Sequence, residues 1–555
     1  MGSNKKKSNS NFLVQGTILA VASIISRMIG LVYRIPLRSI LGDIGMSYYS
    51  CAFEIYNMLL LISSYSLPTA VSKLVSARVA KGEKKNAYRV FKGAFLFAVV
   101  SGSVAAVIIY FGASYITGTL LKTPLSIFAV KILAPTLLVV AILGVLRGFF
   151  QGLGTMMPTA VSQIIEQIFV LIASIAGAYV LYHRGEKVGA LLHNENYAPS
   201  YGAAGASLGP VVGSLIGLIF LLLVYFSYRG RFKAQVKRDT SGTVDSYSTI
   251  FRLIVLTILP VLLSTTVYNI SNVIDIRIYN SVMIQKGMED VKAYNWGVYS
   301  GKYRVLVNVP IALANAMCSS IVPVLTGLVV REEYRQAKEK ISQAMRFTMI
   351  VAIPSTIGMS VLARPIITML FRGEIDLAVS LLHVGSISII FYTMSTLTNG
   401  VLQGINKMKI PVRNACIALV IHIVFLYAAL EMDMGIQAVV YANILFAVIV
   451  CILNHLAIRK YIRYRQEFIR TFAIPLASSA IMGVVVVLIY WLLSKALSGM
   501  GKALSSFLIV MICIVIGAVV YFMAMLFLKG ITKDDLMKMP GGRTVYTIAA
   551  KCHLM

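Results

Sequence analysis

The sequence predicts an all-α polytopic membrane protein of about fourteen transmembrane helices, with two six-helix lobes in a parallel pseudo-twofold repeat plus two C-terminal helices. Three observations predict it. Hydrophobic residues fill 58% of the 555 positions and charged residues only 13%, and mean hydropathy is +0.81, far too apolar for a soluble chain of this length. Apolar stretches of roughly 20 residues, enough to cross a bilayer, recur from end to end. Gly148-Phe-Phe-Gln151-Gly152-Leu-Gly-Thr-Met156, followed by Pro158, returns 252 residues later as Gly400-Val-Leu-Gln403-Gly404-Ile-Asn-Lys-Met408, followed by Pro411. Thr17-Ile-Leu with Thr257-Ile-Leu, and Leu67-x-x-Ala70 with Leu313-x-x-Ala316, are weaker echoes.

The elements follow in order. Residues 1–11 form a basic N-terminus, in which Lys5 to Lys7 precede a first span that is too long for a cleaved signal, carries Arg27 and lacks a small-residue cleavage site. Six spans centred near 25, 60, 102, 138, 170 and 215 make a first lobe over 12–230, and 231–247 is a polar linker. Six more, near 262, 310, 350, 390, 420 and 447, make a second lobe over 248–465. Two further spans, near 482 and 515, occupy 466–530, and 531–555 is a polar tail. Pro36, Pro68, Pro135, Pro260, Pro310 and Pro354 interrupt spans and predict bends, because proline lacks an amide and clashes with the preceding turn.

A net charge of +30 raises nucleic acid as a partner, and its placement argues against one. The excess lies in short loops, Arg78 to Lys92, Arg229 to Arg252, Arg331 to Arg346 and Arg459 to Arg470, with no folded module to organise it. Positive-inside topology accounts for it and places these loops and both termini in the cytoplasm. Six scattered cysteines without a CxxC suggest neither a disulfide framework nor a metal site, and no cofactor is expected. The longest loops expected, His183 to Ser200 outside and Arg229 to Ser248 inside, are too short for a soluble catalytic domain. Asp534-Asp535 lies in the polar tail, so no enzyme active site is expected.

Charges at membrane depth mark the candidate site. Arg27, Arg34 and Arg38 fall in the first span, and at 100° per residue their spacings place them on one stripe roughly 40° wide. Each mid-bilayer arginine costs about 2.5 to 3.5 kcal/mol on insertion scales, so the row implies a cavity that takes an anion. Polar stripes continue this face: Glu54, Asn57 and Ser64 in span 2; Tyr268, Asn272, Asp275 and Tyr279 in span 7; Arg304, Asn308 and Asn315 in span 8. Asn and Ser also serve as interhelical glue, whereas Arg304 needs a counter-charge or water. Glu166 in span 5 and Lys131 in span 4 are expected to pair, and His383, His422 and His455 lie in separate spans without ligand spacing.

Ser26-Arg27-Met28-Ile29-Gly30, Tyr33-Arg34-Ile35-Pro36-Leu37, Leu41-Gly42-x-x-Gly45, Ile55-Tyr56 and Leu67-Pro68-Thr69-Ala70-Val71-Ser72-Lys73-Leu74 resemble the signature of the SpoVB/YtgP branch of the MOP flippases, the MATE-like superfamily that includes the MurJ-type lipid II flippases. The resemblance implies a bacterial plasma-membrane protein that carries an undecaprenyl-pyrophosphate-linked glycan, with the last two helices forming a groove for its tail. It implies that Arg27, Arg34 and Arg304 hold the pyrophosphate. Departures from the MurJ type proper are Tyr49 where it has an acid, and Leu60 and Leu61 where it has two arginines, with Arg38 expected to compensate. Some relatives bind sodium through carboxylates in spans 7 and 11; Asp275 could serve in span 7, but span 11 offers none before Glu431, so sodium coupling is not expected. The rival expectation is a MATE-type multidrug cation antiporter, which would want carboxylates rather than three arginines in span 1. A non-transporting scaffold for cell-wall synthesis or sporulation proteins is a third.

Overall fold

The computed structural model describes residues 22, 25–26, 28–30, 32–60, 67–239, 244–371, 373–497 and 502–530, with backbone alone at 259–265, 267–268, 313–320, 323, 330 and 502–503. Among the described residues every regular element is helical. Nine helices there are long and apolar enough to cross a membrane, and the pair Asp376–Gly385 and Ser388–Gly404, bent by 48°, passes the same test only when its two helices are taken together as one broken span. These ten cover the expected centres near 102, 138, 170, 215, 350, 390, 420, 447, 482 and 515. Helices Arg34–Leu60, Tyr247–Gln285 and Arg304–Val330 run where the other four are expected, in segments that include residues outside the described set.

Two compact units are distinguished, the first comprising 1–301 with 427–436, the second 302–426 with 437–555. The first unit is built on close backbone approach. A Cβ on Gly148 would lie 2.6 Å from the Pro68 carbonyl oxygen, and one on Gly152 would lie 2.7 Å from Val75 Cβ. Helix Thr136–Gly152 therefore rests directly on helix Leu67–Ala80, in the small-xxx-small manner that substitutes for hydrophobic drive inside a bilayer. Phe91, Phe149, Leu221 and Phe232 fill the adjoining core, to which Ile250, Ile254 and Ile258 of helix Tyr247–Gln285 contribute. Lys286 Nζ donates to the Leu430 and Glu431 carbonyls and to Asp433 Oδ1, which ties the short 427–436 segment into this unit.

The stretch expected as the longest outer loop, His183 to Ser200, is instead almost all helix. Helix Met157–Leu192 has 36 residues, about 54 Å at 1.5 Å per residue, so it far exceeds a hydrocarbon core of about 30 Å. The chain reverses within 193–196, where His193 takes the left-handed conformation (φ 50°), and helix Tyr197–Ala206 packs back on it. The polar run His183-Arg184-Gly185-Glu186-Lys187 reads as a loop only because the helix has left the apolar region there.

In the last turn of helix Leu67–Ala80, Arg78 binds both Glu83 (2.9 Å), in the loop that follows, and Asp245 (2.7 Å). Asn86 Nδ2 donates to Glu83 at 3.2 Å while its oxygen accepts from the Asp245 amide at 2.9 Å. The hydrogen bond from Asn86, with that from Arg78, holds the Glu83 carboxyl below the usual carboxylate range.

Two cores are found among the described residues of the second unit. Leu325, Ile341, Met345, Leu397, Val401 and Ile458 form one; Leu362, Met482, Val486, Ile509, Cys513 and Met525 form the other. The second cluster joins the last two helices, Ile474–Ala496 and Lys502–Phe527, to helix Tyr334–Val361, where Tyr521 also donates to the Ile350 carbonyl at 2.9 Å. Their remaining faces are apolar yet exposed, as at Val484, Leu488, Val515 and Val519, which is the surface a lipid-embedded helix presents. Several polar groups inside are satisfied locally: Asn454 donates to Thr398 and Asn399 and accepts from Asn414, and His422 Nδ1 lies 2.8 Å from the Ala442 carbonyl. Lys302, fully buried, donates to the Glu374 carbonyl at 2.8 Å.

Candidate functional site: the arginine row and a charged cavity

Gly42 interrupts helix Arg34–Leu60 with φ 66° and ψ −177°, a conformation that a side chain would strain. The break turns Asp43 back onto Arg38. Arg38 donates through Nε to Asp43 Oδ1 (3.0 Å) and through Nη2 to Asp43 Oδ2 (2.7 Å), with both residues buried. This two-pronged pair commits one edge of the Arg38 fork to the bend.

Arg34, one turn earlier, is placed differently. Its guanidinium lies 5.4 Å from the centre of the Phe53 ring, and its buried Nε makes no hydrogen bond among the described residues. Beside it Phe53 stacks on Tyr49, whose hydroxyl is 3.1 Å from that of Tyr33. Tyr49 thus replaces an expected acid with an aromatic hydroxyl, leaving the surroundings of Arg34 without that negative charge. Arg27 lies outside the described residues.

Of the polar stripes, the fold joins Glu54 and Asn272, 218 positions apart, through a 3.2 Å hydrogen bond from the amide to the carboxylate. Asn57 is half-buried on the same helix as Glu54, and Asp275 is buried one turn beyond Asn272. Ser64 and the Tyr268 and Asn315 side chains lie outside the described residues, and Tyr279 is buried against Trp296. Arg304 and Asn308 are half-buried in the second unit, one turn apart at the start of helix Arg304–Val330, which follows a π-turn over Tyr299–Tyr303.

One expected pair is corrected. Glu166 accepts from Arg147 Nη2 at 2.6 Å, while Lys131 sits over the Tyr110 ring, 5.7 Å from its centre. Arg147 also donates through Nε to Ser162 Oγ at 3.0 Å. This pair stands in a cavity of about 270 Å³ whose wall includes Gly144, Gln151, Gln163, Leu60 and Pro68. Sequence reading passed over Arg147, although it adjoins the repeated Gly148-x-x-Gln151-Gly152 motif and is a lone cation in an apolar span. Either signal picks it out.

The polysaccharide biosynthesis protein family matches residues 13–329, and the MatE family matches residues 260–428. The lipid II flippase MurJ of Bacillus subtilis (strain 168) is 26% identical over 527 residues, which cover 92% of this chain and 94% of that protein. Stage V sporulation protein B of the same organism is 23% identical over 534 residues, covering 95% and 98%. Among solved structures, lipid II flippase MurJ in an inward closed conformation superposes with a TM-score of 0.62 at 16% identity, over 92% of this chain and 98% of that one. An inward-facing multidrug resistance MATE family transporter of the MOP superfamily reaches 0.60 at 16% identity, over 78% and 98%. At such identities the structures speak to the fold, which is that of the MOP transporters. The family match takes in more than half of the 555 residues and contains the whole arginine row, so the chain belongs to the polysaccharide biosynthesis protein family.

Proposed function

We propose that this chain flips an undecaprenyl-pyrophosphate-linked glycan, lipid II in the first instance, from the inner to the outer leaflet of the bacterial plasma membrane by alternating access. Arg34 carries the reading: a guanidinium in the first span with a buried, uncommitted Nε, in the same row as Arg27. Guanidinium forks bind phosphate oxygens two at a time, and a low dielectric strengthens that contact. Arg27 and Arg34 take the pyrophosphate from the first lobe and Arg304 from the second, while Arg38 holds the bend at Gly42. Glu54, Asn57, Asn272, Asp275 and Asn308 supply hydrogen bonds to the polar headgroup.

The lobes of the repeat, 12–230 and 248–465, rock about the substrate as in other transporters built from parallel repeats. The last two helices receive the isoprenoid tail. Both termini and the basic loops are cytoplasmic. An inside-negative potential then favours outward movement of an anionic headgroup by about 2.3 kcal/mol per charge per 100 mV. Cell-wall synthesis proteins are the partners that such a carrier would serve.

Near full-length similarity to a protein named as a lipid II flippase supports this reading. The match of residues 260–428 to the MatE family favours a drug antiporter instead, but the first span carries arginines rather than the acids such an exchange would want, and Asp43 and Glu166 are held by Arg38 and Arg147. Depleting the protein from cells without a redundant flippase is expected to make lipid II accumulate in the inner leaflet while its synthesis continues. Normal delivery to the outer leaflet, together with new sensitivity to cationic dyes, would replace the flippase by the antiporter.

A further inference from the structure

The charges lining the cavity of the first unit are not required by the helical hairpin that carries them. The same hairpin occurs again in the second unit, 252 residues on, or 253 once the prolines are aligned. There Asn399 stands for Arg147, Thr396 for Gly144, and Ala418 or Leu419 for Glu166. The second copy packs without an ion pair at this place, Asn399 accepting instead from Asn454 and Ala418 being fully buried. Replacing a buried ion pair by apolar groups is often neutral or stabilising, so packing gives no reason to keep Arg147 and Glu166.

The pair is also arranged to receive something. Val140, Gly144, Arg147 and Gln151 recur at helical spacing, and the bare Gly144 leaves room beside the guanidinium. Arg147 spends Nε on Ser162 and Nη2 on Glu166, while its Nη1 has no hydrogen-bond partner among the described residues. Glu166 is engaged through Oε2, and the Gln151 amide makes no hydrogen bond there. A lone anion in this cavity meets Glu166 and a lone cation meets Arg147, each a costly like-charge encounter at low dielectric. A ligand carrying both charges side by side satisfies the two at once. The volume, about 270 Å³, is below that of drug-sized pockets, and Leu60, Pro68 and Val140 give it an apolar end.

We propose that the Arg147–Glu166 cavity binds an α-amino-acid zwitterion, its carboxylate on Arg147, its ammonium on Glu166 and its side chain against Leu60, Pro68 and Val140. The zwitterion comes either from a free amino acid or from one attached to the transported substrate. The site does not depend on the flippase reading, because binding is measured without transport.

The test is thermal unfolding of the purified full-length protein in lipid nanodiscs, titrated with L- and D-leucine. At least one enantiomer is expected to stabilise it saturably, with N-acetylleucine and leucinamide, which each lack one charge, binding about tenfold more weakly or less. The double variant Arg147→Asn/Glu166→Ala, which copies the second repeat, is expected to fold and to lose the response. An unchanged response in that variant, equal binding of the two blocked compounds, or no saturable response to either enantiomer overturns the proposal; if the variant fails to fold, the blocked compounds decide. Reconstituted transport separates the two sources. Leucine that slows flipping of a peptide-bearing lipid-linked glycan, but not of one without the peptide, assigns the zwitterion to the substrate, and leucine that binds without slowing either assigns it to a soluble ligand.

Discussion

Three arginines that look equivalent on a helical wheel have different work to do. Arg38 makes two hydrogen bonds to buried Asp43 across the Gly42 break, so Arg38→Ala is expected to cost about 3 kcal/mol in stability, and Arg38→Ala/Asp43→Ala less, by thermal unfolding in detergent. Arg34→Ala and Arg27→Ala are expected to leave the protein in the membrane and abolish complementation. Arg27→Lys should restore it only in part, since an ammonium replaces a phosphate-binding fork. Normal complementation by either alanine variant at native expression would make that arginine idle. The spacing that aligns the three was legible in the sequence. The division of labour was not, because nothing in the spacing shows that the backbone breaks at Gly42, four residues past Arg38, and turns the following Asp43 into a local partner.

At the level of elements, sequence patterning succeeded where apolar length decides and failed where helices outrun the bilayer. Ten expected span centres coincide with helices because each needs only about 20 apolar residues, which composition displays directly. Helix Met157–Leu192 was cut short in the reading at His183, since hydropathy reports the solvent around a helix and not its end. The repeated Gly148-x-x-x-Gly152 motif was visible, and its meaning needed the fold: both glycines lie against helix Leu67–Ala80. Gly148→Val is therefore expected to destabilise the protein by about 1 to 3 kcal/mol or more, with a lowered melting temperature, whereas a change at the exposed Lys73 should be nearly silent. The loop that follows gives a pH prediction. Its partners lower the Glu83 pKa in the folded protein, so the stability that Glu83 contributes is whole above the ordinary carboxylate value and is lost as pH falls through the lowered one. Glu83→Gln should then melt below wild type at neutral pH, and the gap should close in acid. A gap independent of pH would assign the effect to packing.

For the whole molecule, topology is the property on which the direction of transport rests. Basic loops alternate with loops poor in Lys and Arg along the chain, and a parallel repeat of six spans requires both copies to begin on the same side. Single cysteines at Gly82, Ser241 and Glu333 are therefore expected to label only from the cytoplasm, and one at Gly287 only from outside. Gly185, in the stretch first read as an outer loop, is buried against Ala198 and Tyr201, so a cysteine there would report packing rather than sidedness. Glu195, exposed in the short turn after helix Met157–Leu192, is the proper outer probe on the first half of the chain. In a cysteine-free background, an impermeant maleimide added to intact cells should reach positions 195 and 287 and spare 82, 241 and 333 until the membrane is opened. Labelling of 82 and 195 from one side would imply an even number of spans between them. The two halves could not then be parallel copies, and a carrier that rocks about an axis along the membrane normal would lose its structural basis.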